Sequence, residues 1–246
     1  MANTKLGNDV WNDDELRASV DAYLYMLRLE VDSIPYSPTD YSKFLQTGPL
    51  RDRNDASIRY RMRNISQVME ERGAPILRSF SPAPQVGRNV KKRINELLDE
   101  RQIPTRAQET RGARHERPIE LSDILASLDQ LKNLLANLEP QHMAGFGHNN
   151  PPGIYAITPE DVLDARNAVT ALSNELSNGL TDRQSISELT NRLGRFGLKL
   201  AIWTGQRITD FAKAGSIAAG TGFGVWITGL GDHIIEALHM IAKFVG

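Results

Sequence analysis

The chain has 246 residues with 40% hydrophobic content, a net charge of −1 and no cysteine. This length gives one large domain or two small ones, and the absence of cysteine excludes disulfides and thiolate metal sites and fits a reducing cytoplasm. The opening stretch "MANTKLGNDVWNDDEL" has no apolar run of the kind a secretory signal needs, so export is not expected.

The charge is unevenly spread along the chain. Residues 1–42 hold three Lys/Arg against eight Asp/Glu, a balance of −5, whereas residues 43–93 hold twelve against four, a balance of +8. A local excess of this kind is what binding to a polyanion needs. The alternative is an internal match, with the acidic segment packed beside the basic one.

In chain order, "WNDDELRASVDAYLYMLRLEVDSI" predicts a helix capped by Asn12, with acids in its first turn and Leu16, Val20, Tyr23, Leu24, Leu27 and Val31 at helical spacing. "SPTDYSKFLQTG" predicts a short helix ended by Gly48. "DASIRYRMRNISQV" raises a choice, because arginine at 59, 61 and 63 alternates with Ile58, Tyr60 and Met62 as in a half-buried strand. The apolar stripe Ile58, Met62, Ile65 and Met69 is too long for one strand. The segment therefore reads as a helix over 56–72, capped by Asp55 and ended by Gly73 and Pro75. Arg59 and Arg63 then share one side, with Ser66 near them, and Arg61 points elsewhere. "VGRNVKKRINELLDER" predicts a further helix with Val90, Ile94 and Leu97 on one face.

Trp11, "ELRASVDAYLYMLRLE", Pro35-Tyr36, Arg53 and "ASIRYRMRNISQVMEERGAPILRSFSPAPQVGRNV", with its Asn64-Ile65-Ser66…Val68 block, resemble the N-terminal head domain of McrA-like HNH endonucleases, bacterial restriction enzymes that act on modified DNA. The resemblance covers about residues 11–100. It implies a helical DNA-recognition domain, and with the basic segment it gives Arg51, Arg53, Arg59, Arg61, Arg63, Asn64, Lys91, Lys92 and Arg93 as nucleic-acid contacts. The family often has an acid where Arg59 stands, so this chain is the more basic version. The nuclease does not follow. "GFGHNNPPG" at 145–153 has His148, Asn149 and Asn150 by letters only, with two prolines directly after them. His233, Glu236 and His239 are spread too widely around a helix to grip one ion. No phosphate loop or catalytic triad is visible. The expectation is a protein without catalytic activity, metal or cofactor.

Residues 105–118 read as a basic linker. Residues 119–140 follow as an amphipathic helix with Leu121, Ile124, Leu128, Leu131, Leu135 and Leu138 at heptad spacing. That stripe either pairs with a second copy or packs on the C-terminal helices. Residues 141–157 are a Gly/Pro linker. The region 158–246 opens with Thr158 and Asp161 as a capping box around Pro159. It continues with two helices in an antiparallel hairpin, the second carrying Ile186, Leu189, Leu193, Phe196, Leu200 and Trp203. From Ala214 to Gly231 there are eighteen uncharged residues, six of them glycine, with Gly220 and Gly224 in a G-x-x-x-G pair near Trp226. This stretch reads as a membrane contact, a buried core helix or an oligomer surface.

The expected architecture is all-α: a head domain over 1–104, the heptad helix, and a helical C-terminal region with a Gly-rich apolar end. The expected partners are DNA and a second copy of the chain. The expected location is the cytoplasm, with segment 214–246 a candidate for contact with the inner membrane.

Overall fold

The computed structural model describes residues 11–101, 103, 119–138, 157–179, 182–213 and 221–245, with side chains of the last two helices described for 183–203 and 229–245. The protein is all-helical, and no strand occurs among the described residues. The helices are α1 (Asp13–Val31), α2 (Pro38–Gln46), α3 (Asp55–Glu71), α4 (Arg88–Glu100), α5 (Leu121–Ala136), α6 (Pro159–Ser177), α7 (Arg183–Lys213) and α8 (Thr221–Val245).

Local chemistry explains most boundaries. Asn12 and Glu15 form a reciprocal capping box at α1, as Thr158 and Asp161 do at α6. Ser37 caps α2 ahead of Pro38. At α3 the cap is Asn54, whose side chain accepts from the Ser57 amide at 2.8 Å, and Asp55 is the first helical residue. Gly73 stops α3 with φ of 71°, a left-handed conformation that favours glycine.

The core runs without a break from the head helices into the C-terminal helices. Helix α1 packs on α3 and α4 along one side and on α7 along another. Two glycines of α7 make that second contact close. The Tyr25 hydroxyl donates to the Gly194 carbonyl at 3.0 Å, and a Cβ on Gly197 would stand 2.3 Å from that hydroxyl. Helix α5 lies against α6 and α8. Ile124, Leu128, Leu131, Leu135 and Leu138 are buried there, while Leu121 is half-buried. Of the two readings of the heptad stripe, the packing shown is against helices of the same chain. Arg166 of α6 donates to the Leu135 and Ala136 carbonyls, closing the C-terminal end of α5.

The Gly-rich stretch contributes the first part of α8. Gly224 and Trp226 lie in the helix, whereas Gly220, like the segments 104–118 and 139–156, falls outside the described residues. Among the described residues no helix is long and apolar enough to cross a membrane.

Candidate nucleic-acid interface

Helix α3 buries roughly 200° of its circumference, by its 100° advance per residue. Ile58, Met62, Ile65 and Met69 lie inside that arc, and Arg59, Tyr60 and Arg63 lie outside it or at its margin. Ser66, expected beside Arg59 and Arg63, turns inward instead. Its hydroxyl hydrogen-bonds that of Tyr23 at 2.9 Å, and Tyr23 also accepts from the Leu77 amide. Burial pushes the Tyr23 hydroxyl above its ordinary pKa, so it stays protonated.

Much of the basic excess is cancelled inside the head. Arg53 is buried and holds Glu15 through two hydrogen bonds of 2.7 and 2.8 Å. Arg93 pairs with Asp13 and, at 2.9 Å, with Glu96. Arg78 reaches Glu30 at 3.3 Å, Arg72 reaches Asp99 at 2.7 Å and Lys91 reaches Glu71 at 2.6 Å. Lys92 lies 3.9 Å from Glu96 and is largely exposed. The acidic N-terminal segment is thus an internal match for Arg53, Arg78 and Arg93.

The remaining cations form the candidate surface. Among the described residues, no carboxylate lies within ion-pairing distance of Arg59, Arg63 or Arg88 on α3 and α4, nor of Lys43 on α2, and Arg51 has only its neighbour Asp52, at 3.7 Å, with both side chains exposed. The 81–85 loop lies along α3. The Arg63 carbonyl accepts from the Ala83 amide at 3.1 Å, the Arg63 Nε donates to the Ser81 carbonyl at 3.0 Å, and the Tyr60 hydroxyl donates to the Gln85 carbonyl. Gln85 is three residues before Arg88, so the start of α4 lies within roughly 11 Å of that contact. Helix α4 begins at Gly87 without a side-chain cap and without an acid in its first turn. Its unsatisfied amides and Arg88 therefore add to the positive field of Arg59 and Arg63. Arg88 was absent from the residues expected from sequence. Its signal is the basic "GRNVKK" start of a helix with no acid to offset it.

Three expected contact residues, Arg53, Arg61 and Asn64, lie inside. Arg61 is 7% exposed, with its Cζ 4.5 Å from the centre of the Trp11 ring, and Arg53 approaches the same ring at 4.9 Å. Burial, aided by the neighbouring Arg53 charge, lowers the Arg61 guanidinium to about 10. Asn64 is 3% exposed. All three therefore contribute to the shape of the head and present little surface to a polyanion.

The histidines weighed as ligands serve helix contacts. His233 hydrogen-bonds Gln130 at 3.0 Å between α8 and α5, and the His239 Nδ1 meets the Asp32 carbonyl at 2.6 Å after α1. No group of three potential metal ligands occurs among the described residues. No family model, no curated protein and no solved structure matches the chain.

Proposed function

We propose that the chain is a non-catalytic DNA-binding protein that contacts the phosphate backbone through Arg59 and Arg63 of α3, Arg88 of α4 and Arg51. The observation that carries the reading is the residue of charge left after internal pairing. Arg53, Arg78 and Arg93 are neutralised by acids of the same domain, while Arg59, Arg63 and Arg88 have none within ion-pairing distance among the described residues. Uncompensated guanidinium groups on a rigid helix suit phosphate contacts, because the fork can bind two oxygens and the helix fixes its direction. The resemblance of residues 11–100 to McrA-like head domains supports the same reading. It suggests duplex DNA, cytosine modification as the feature sensed, and a role in bacterial defence in the cytoplasm.

The test is fluorescence anisotropy of the full chain with a labelled duplex, unmodified and cytosine-methylated, at 50 and 200 mM salt. Four phosphate contacts predict a fall in affinity of roughly 100-fold across that range. Binding that ignores salt, or no binding at the lower salt, would sink the proposal. A preference for the methylated duplex would add modification sensing to it.

A further inference from the structure

A cavity of about 440 Å³ lies where the head meets the C-terminal helices. Its walls are the Ile34–Ser37 turn with Leu29 and Tyr41, the first turns of α7, and the last turns of α8. The volume falls in the range of small-molecule sites. Two features define its chemistry. Most of the wall is apolar, with Leu29, Ile34, Ile186, Leu238, Ile241 and Val245 contributing. The polar wall includes a stripe of α7, where Arg183, Ser187 and Asn191 recur every four residues and so share a face, with Thr190 of the same helix and Ser37, Tyr36 and Tyr41 of the head adding hydroxyls.

The charge balance selects the ligand. Arg183 is the charged residue of the wall, and no carboxylate lines the cavity among the described residues. No acid among the described residues pairs with Arg183, in contrast to Arg192 further along α7, which pairs with Asp164. Ser187 and Asn191 stand on the Arg183 side, with side-chain donors not engaged by other described residues. Arg183 is also the first residue of α7, directly after Asp182, whose carboxylate accepts from the Gln184 amide and caps the helix outside the cavity wall. A neutral apolar guest would leave that guanidinium unused, and a cation would be repelled by it.

We infer that this cavity binds a small amphipathic anion: a single aliphatic chain against the Leu, Ile and Val wall, with a carboxylate at Arg183 and Ser187. Such a guest touches the head through Ile34 and Tyr41, α7 through Ile186 and α8 through Leu238 and Ile241, and so ties three parts of the molecule together. The site is separate from the α3 surface and does not rest on DNA binding.

Isothermal titration calorimetry of the full chain with decanoate, decanol and decylamine tests it. The expected result is saturable binding of one decanoate per chain, with decanol at least tenfold weaker and decylamine weaker still. Arg183→Gln, at an exposed position, should weaken decanoate at least tenfold and leave decanol unchanged. Ala242→Trp, which fills the cavity, should abolish binding of both. If that variant does not fold, Arg183→Gln and the three-ligand series still decide. No saturable decanoate binding at millimolar concentration would overturn the inference. So would decanoate binding that equals decanol and is indifferent to Arg183→Gln.

Discussion

The Arg53 guanidinium and the Glu15 carboxylate, 38 positions apart in the chain, meet through two hydrogen bonds in the interior of the head, Nε to Oε1 at 2.7 Å and Nη2 to Oε2 at 2.8 Å. Glu15 also accepts from the Asn12 amide, so one carboxylate both caps α1 and anchors the segment before α3. Removing one partner of such a pair strands a buried charge. Glu15→Gln is expected to cost about 3–5 kcal/mol, read from urea unfolding. Glu15→Gln combined with Arg53→Met should recover part of that loss. A Glu15→Gln protein within about 1 kcal/mol of the parent would refute this role, given the typical size of surface effects.

The acid limb of stability follows from the same network. Hydrogen bonds from Arg93 hold the Asp13 carboxyl down at about 2, against some opposing burial, with Arg17 helping. Burial pushes Glu15 upward, but hydrogen bonds from Arg53 and from the Asn12 amide outweigh it, and its pKa is lowered too. Both carboxyls are more acidic folded than unfolded. Their contribution is therefore complete above about pH 4.5 and is lost as pH falls toward 2. Asp21 works in the opposite sense, since burial raises its pKa despite Arg101. Thermal melts from pH 6 to pH 2 should show Tm falling below pH 4.5, and Asp13→Asn should flatten that fall. An unchanged slope in the variant would contradict the assignment.

Charge reversal separates the free cations from the paired ones. Arg59→Glu with Arg63→Glu should weaken duplex binding and reduce the steepness of its salt dependence by about 2 in the log–log plot, one phosphate contact for each arginine. Far-UV circular dichroism should match the parent, because neither side chain is buried. Unchanged affinity would mean that these arginines only solvate the helix.

Gly197 is the tightest point between α1 and α7. A methyl there meets the Tyr25 hydroxyl at 2.3 Å and Ile234 at 3.2 Å. Gly197→Ala is expected to cost roughly 1–3 kcal/mol through overpacking. Tyr25→Phe alone should cost about 1 kcal/mol for its hydrogen bond. The double variant should lose less than the sum, because the clashing oxygen has gone. Strict additivity in a double-mutant cycle would rule out this contact as the cause.

Leu131 tests the covered stripe of α5. Leu131→Ala should destabilise by about 2–5 kcal/mol and leave the molar mass by light scattering unchanged. A change of oligomeric state would mean that the leucine face also serves a second copy.

What the sequence revealed depended on how far apart the interacting residues stand. Caps at Asn12 and Thr158, the stop at Gly73 and the apolar stripes of α5 and α7 are written within a few residues, and each is found where the spacing put it. The charge excess of residues 43–93 was equally visible, but not which of its charges cancel. Asp13 and Arg93 are 80 positions apart, and only the packing of α1 beside α4 joins them. The same distance hid the burial of Arg61 and Asn64, since a helix face wider than its apolar stripe is set by what packs on it. The use of Gly194 and Gly197, which is to admit the Tyr41 and Tyr25 hydroxyls, depends on residues more than 150 positions away and has no local signal. Helix α8 begins at Thr221 inside the Gly-rich stretch and runs through Gly222, Gly224, Gly229 and Gly231, despite a propensity cost of about 1 kcal/mol per glycine.

The contact of Tyr25 with α7 has a consequence for how the chain can be cut. Helices on either side of residues 104–118 share one apolar interior, so the peptide bonds of that segment are not what keeps the two sides together. The protein has the layout of a natural split pair. Fragments 1–104 and 119–246, produced as separate polypeptides, should find each other and co-purify, with Tyr25 seated against Gly197 and donating to the Gly194 carbonyl as it does in the intact chain.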